Sequence, residues 1–167
     1  MKFTPKKGSD TVDGMDIVAV TEDLIPALVT SVAALFAEDG GRHDPWMDTG
    51  WPDRAGAAYY RGRLDGQLCL LAREHGRTVG HLVGRLGSSE LRPGATVAVL
   101  ESMRVDESVR RDGVGSALVG EFTAWASRAR ATEFRVTAFA ANEGAIGFYR
   151  SRGFEPFEVT LRKGVTP

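Results

Sequence analysis

Arg110-Arg111-Asp112-Gly113-Val114-Gly115-Ser116-Ala117-Leu118-Val119 joins two very different patterns. Before it runs an apolar, β-branched stretch, residues 96–105, of the kind that forms a strand. After it Val114, Leu118, Phe122 and Trp125 recur at helical spacing. A strand, a short basic turn bearing glycines and a helix start make an anion site. The first helical turn has N–H groups without intrahelical acceptors, and the macrodipole adds partial positive charge there. Gly113 and Gly115 let a phosphate approach the backbone, and Arg110 and Arg111 add fixed charge. The expected guest is a diphosphate.

Downstream, residues 133–140 alternate polar and apolar side chains and read as a second strand. Asn142 then suits the N-cap of a short helix, 143–151, and Gly153 stands where that helix would end. A crossover through a helix at 113–130 makes strands 96–105 and 133–140 parallel neighbours.

Neither the dinucleotide fingerprint nor the phosphate-loop motif is present. The pattern Arg-x-x-Gly-x-Gly at 110–115, followed by Asn-x-x-Ala-x-x-Phe-Tyr-x-x-x-Gly-Phe at 142–154, resembles the GNAT superfamily of N-acetyltransferases. The resemblance covers residues 15–162 and is most specific over 97–154. It implies an α/β fold of the α+β type: a mixed, mostly antiparallel sheet flanked by helices, whose parallel β-α-β pair splays to form an acetyl-CoA cleft. It implies that Arg110, Arg111, Asp112, Gly113, Val114, Gly115 and Ser116 hold the pyrophosphate. The main chain at Met103 and Val105 would bind the pantetheine and supply the oxyanion donor. Asn142 and Phe148 would line the coenzyme, and Tyr149 would lie near its sulfur.

Composition sets the bounds. With 167 residues and 43% hydrophobic content the chain can bury a core. Residues 1–14 are polar and patternless and read as a loose arm, which leaves 15–167 as one N-acetyltransferase domain. A formal net charge of −1 disfavours a nucleic-acid binder held by bulk charge. The single cysteine, Cys69, excludes an intrachain disulfide and reads as core packing. His43, His75 and His81 are scattered, so no metal site is expected. No apolar leader is visible and no run approaches the ~20 residues of a membrane span. A cytoplasmic setting without membrane or nucleic-acid partners is expected, and a homodimer is compatible with it.

Upstream, residues 15–20 read as a strand and Thr21 or Asp23 as the cap of a helix that Gly40-Gly41 ends, with Pro26 in its first turn. A loop follows, then a short helix at 53–64, then strands 67–74 and 78–86 around a His75-Gly76 turn. Residues 88–94 read as a turn and 157–162 as a final strand.

Acetyl transfer from a thioester to an amine needs a base or anchor for the amine, an oxyanion donor and a proton for the departing thiolate. Glu101, on the cleft strand, is the candidate base or electrostatic anchor, with a salt bridge to Arg104 or Arg135 as its structural alternative. Tyr149, a phenol with an ordinary pKa of about 10, is the candidate acid. The loop 38–53 offers Glu38, Asp39, Asp44, Asp48 and Asp53 interleaved with Trp46 and Trp51, a composition suited to a cation. The expected acceptor is therefore a small cationic amine: a polyamine, an aminoglycoside-like antibiotic or an amino-acid derivative. Acetylation of a protein N-terminus or lysine, or a non-catalytic acetyl-CoA-binding role, stay open beside it.

Overall fold

The computed structural model of the protein describes residues 14–90 and 92–164, so the expected N-terminal arm, Gly14 excepted, lies outside the described residues. Two compact units are present, one ending at Thr137 and the other beginning at Ala138.

The first unit runs β1 (Met15–Ala19), α1 (Ile25–Arg42), α2 (Ala57–Arg61), β2 (Gln67–Glu74), β3 (Arg77–Ser89), β4 (Arg92–Val105), α3 (Val114–Arg128) and β5 (Glu133–Val136). The five strands lie in sequence order, antiparallel as far as β4 and parallel between β4 and β5. This is the mixed sheet with a single β-α-β crossover that the pattern around residue 113 implies.

β2 and β3 are buried continuously over 68–72 and 79–84, as strands covered on both faces must be. On one face Ile25, Leu28 and Val32 of α1 pack with Tyr60, Cys69, Leu71 and Val83. On the other face α3 sits unusually close. A Cβ at Gly84 would lie 2.8 Å from the Phe122 ring, and one at Gly80 would lie 3.5 Å from the Leu118 side chain. Phe122 and Leu118 are fully buried against this smooth strip, each contributing roughly 1.5–3 kcal/mol of transfer free energy.

Local signals are partly overruled. α1 passes through Gly40-Gly41 to Arg42, although each glycine costs about 1 kcal/mol in a helix. Its end is closed instead by the Asp39 carbonyl, which accepts the N–H groups of His43 and Asp44 at 2.7 and 3.0 Å. Thr21 and Asp23 do not cap it: the Thr21 hydroxyl donates to Asp23 at 2.6 Å, and a 3-10 turn, Glu22–Leu24, leads in. Pro26 does sit in the first turn. The stretch Glu22–Arg42 has the length and mean hydropathy (1.3) of a membrane span, contrary to the sequence expectation, yet its apolar stripe is the one packed on the sheet. The β2–β3 connection is the expected tight turn, His75 and Gly76 both at positive φ (49° and 81°). The following turn is shorter than expected, because β3 extends to Ser89 and β4 starts at Arg92.

The second unit contains α4 (Glu143–Arg150). Asn142 caps it, accepting the Ala145 N–H at 3.0 Å. Gly153, at φ 85°, ends it, with the Phe154 N–H donating to the Tyr149 carbonyl at 3.2 Å. The expected strand 157–162 is not formed. Its alternation leaves Val159 and Leu161 85% and 90% exposed, and alternation without a ladder does not make a strand.

Candidate active site

β4 is the strand on which the site is built, and it is bulged. Val83 pairs with Ser102 and Gly84 with Leu100, so Glu101 is the extra residue. The bulge turns Glu101 and Ser102 toward the α1 face together. Glu101 accepts from Arg85 Nε at 2.5 Å and from the Gln67 amide nitrogen at 3.1 Å. The ion pair considered from sequence therefore exists, but with another partner: Arg104 goes to Glu38, and Arg135 bonds Glu133. The Glu101 charge adds to the burial that raises the Tyr60 phenol and pushes the Cys69 thiol up to about 12.

Pairing between β4 and β5 runs from Val97↔Glu133 to Leu100↔Val136 and stops there. β5 is thus four residues long, not the eight of 133–140. From Glu101 to Val105, β4 has β3 on one side and no paired strand on the other among the described residues. Met103 and Val105 lie on this open stretch.

Beyond Val105 the chain enters the glycine turn. Asp106 organises its start, accepting from the Ser108 N–H at 3.1 Å and hydroxyl at 2.7 Å, and these bonds hold its carboxyl below the usual range. Arg111 and Gly113 both take positive φ, 76° and 87°, which is strained for an arginine. The N–H groups of Gly113, Val114 and Gly115 meet no acceptor among the described residues. Ser116 belongs to the same first turn of α3. Val114 is buried, so any contact it makes with an anion is through its backbone. Asp112 and Arg111 are exposed. Arg110 turns back, donating from Nε to the Val105 carbonyl at 3.0 Å and from Nη2 to Glu38 at 2.9 Å.

Glu38 is consequently a strut: Arg104 reaches the same carboxylate at 2.8 Å, which ties the end of α1 to β4 and to the turn. The other loop acids also have local work. Asp44 accepts the Trp46 N–H at 3.1 Å and Asp48 the Gly50 N–H at 3.2 Å, both side-chain-made turns. Asp48 pairs with Arg54, which lowers its pKa, whereas burial raises that of Asp39. Trp51 stacks on Phe36 at 5.7 Å and meets Tyr59 edge-on at 5.2 Å, so it pins the loop. Trp46 is 67% exposed.

One polar group escaped the sequence reading. His81, fully buried, holds Ser31 of α1 through Nδ1 and Ser102 of β4 through Nε2, both at 2.8 Å. Burial, aided by the Arg104 charge, pushes its pKa down to about 3, so the ring is neutral. Its only sequence signal is a polar residue at an inward position between Gly80 and Leu82. Arg85 and Gln67 left no signal at all.

In the second unit Asn142, Phe148 and Tyr149 share α4. Tyr149 is buried between Phe148 and Phe154, with edge contacts at 5.3 and 5.7 Å, and burial pushes its phenol up to about 12. Among the described residues no group of three His, Cys, Asp or Glu side chains is placed to hold a metal ion.

The sequence profile of the acetyltransferase (GNAT) family matches residues 31–154. No curated protein matches the chain. Solved structures do. A mutant of the BH1408 protein from Bacillus halodurans superposes with a TM-score of 0.80 at 13% identity, over 90% of this chain and 99% of that one. The aminoglycoside acetyltransferase AAC(6')-Iy, solved with a CoA-linked bisubstrate analogue, gives 0.75 at 19% identity, over 93% and 100%. The aminoglycoside 6'-N-acetyltransferase AAC(6')-Ih from Acinetobacter baumannii gives 0.69 at 21% identity, over 92% and 100%. At these identities the likeness is one of fold.

Proposed function

Because the chain belongs to the GNAT family of acetyltransferases, we propose that residues 15–167 act as one catalytic domain that moves an acetyl group from acetyl-CoA directly onto the amine of a small molecule that presents it as a cationic ammonium group. The observation that carries this reading is the open stretch of β4, which runs from the Glu101 bulge into a turn where the N–H groups of Gly113, Val114 and Gly115 meet no acceptor among the described residues. Pantetheine would pair with the open edge, and its pyrophosphate would take the N–H groups of Gly113, Val114 and Gly115. Structures of the same fold with CoA or a CoA conjugate bound are consistent with such a donor.

The amine arrives as an ammonium anchored by Glu101 and loses a proton to that carboxylate or to solvent water. The free amine attacks the thioester carbonyl. A C–N bond forms, the oxyanion is held by a main-chain N–H near Met103, the nitrogen gives its second proton to water, and the C–S bond then breaks. The leaving thiolate is met by the Tyr149 hydroxyl, the proposed donor, and the proton that ends on sulfur is replaced on Tyr149 from water. One proton in net is released for each ammonium acetylated.

The experiment is release of CoA thiol on mixing the protein with acetyl-CoA and a panel of polyamines, aminoglycosides, amino acids, peptides and folded proteins. Gly115→Val, which places a branched side chain in the turn, should weaken acetyl-CoA binding at least tenfold by calorimetry while the protein stays folded. Unchanged affinity would remove the turn from the coenzyme site. Release only with proteins or peptides would favour a protein acetyltransferase, and coenzyme binding without release a non-catalytic role.

A further inference from the structure

Of the six acids offered by the sequence for a cationic acceptor, three are answered by arginines, Glu101 at the site's centre among them. Glu38 meets Arg104 and Arg110, Asp48 meets Arg54, and Glu101 meets Arg85. These three paired acids do not present the uncompensated negative charge that a polycation needs. The Arg85–Glu101 pair has a further property. Arg85 uses only Nε on Glu101, at 2.5 Å. Its two Nη groups have no hydrogen-bond acceptor among the described residues, and its side chain is 44% exposed. Glu101, 27% exposed, has one oxygen on Arg85 and the other on Gln67, each with a lone pair left over. Opposite Arg85 stands Gln67 of β2, its direct register partner, so the pair is fixed on the sheet rather than on a loop.

Resting on the reading of Glu101 as the acceptor's anchor, we propose that Arg85 determines specificity and that the acceptor is a small zwitterion, an amine bearing a carboxylate. Its ammonium meets Glu101, and its carboxylate takes the planar Nη fork of Arg85 in the two-point geometry that guanidinium favours. An amine without an anionic group leaves the Nη groups of Arg85 unanswered beside its own ammonium. A polyamine multiplies that repulsion.

The test uses matched acceptors: amino acids, the same amino acids as amides, the corresponding simple amines, and polyamines. Initial rates of thiol release are measured at saturating acetyl-CoA. The wild type should prefer each acid over its amide at least tenfold in kcat/KM, mostly through KM. Arg85→Gln should bring that ratio near one without changing acetyl-CoA affinity, and Arg85→Lys should restore part of it. Preference for amides or polyamines in the wild type, or an unchanged ratio in both variants, overturns the proposal while leaving acetyl transfer standing. Absence of release with every acceptor overturns acetyl transfer and this proposal together.

Discussion

Glu101 and Tyr149 face opposite demands. A base has to lose its charge during turnover, whereas both carboxylate oxygens of Glu101 already accept hydrogen bonds, one from a guanidinium and one from an amide. Glu101→Gln separates base from anchor. Loss of kcat with its low-pH limb identifies the base, and a raised KM with kcat retained identifies the anchor. The Arg85 contact makes the raised KM the expected outcome, measured by steady-state kinetics across pH 6–9 with the acceptor found in the panel. Tyr149 is protonated at any physiological pH, since burial pushes it to about 12. It is then a weaker acid than a thiol near ~8.5, so it serves the sulfur by a hydrogen bond better than by outright transfer. Tyr149→Phe should keep the fold and coenzyme affinity and lower the single-turnover rate by about 10²-fold, the low end of acid–base contributions. An unaltered rate would leave Tyr149 as packing between Phe148 and Phe154.

Among the elements, the contact of α3 with the sheet is the least tolerant. Gly84→Ala puts a methyl against the Phe122 ring at 2.8 Å, and a ring in a close-packed core has little room to yield. The expected loss is ~1–3 kcal/mol in denaturant unfolding, partly recovered in the double variant with Phe122→Leu; additive losses would show that the contact is not the cause. These close approaches also mark where sequence reading stops. The strand–turn–helix at 96–119 was legible because its signals are local: an apolar run, two glycines and a helical stripe. The parallel pairing of β4 with β5 followed from the helical crossover that joins them. The bulge at Glu101 was not legible, because it depends on how β3 and β4 register over their whole length. The roles of Glu38 and Arg110 were hidden for a related reason, since an ion pair spanning 72 positions has no local pattern. Residues 157–162 failed in the opposite sense: the alternation is real, but a strand is a property of two segments.

For the whole molecule, the buried His81 sets a pH dependence. Its folded pKa is pushed to about 3, against an unfolded value near ~6.5. Below ~6.5 the unfolded chain binds a proton that the folded chain refuses. Stability is therefore complete above that pH and falls as pH drops toward about 3, by up to ~1.4 kcal/mol per unit. Urea unfolding between pH 4.5 and 6.5, above the range where most carboxylates titrate, should show this slope in the wild type and a flatter one in His81→Gln; equal slopes would exclude His81 as the source. The same core encloses Cys69, the chain's only cysteine, 5% exposed and with its thiol raised to about 12. A thiol in that state is almost never a thiolate at neutral pH, so a chromogenic disulfide ignores the folded protein. Such a reagent can then follow CoA release with no background from the enzyme. Without substrate, the slow uptake of one equivalent becomes a clock for the opening of the core, and a cysteine introduced at an exposed position such as Ser151 would take a spectroscopic label alone, with Cys69 left in place.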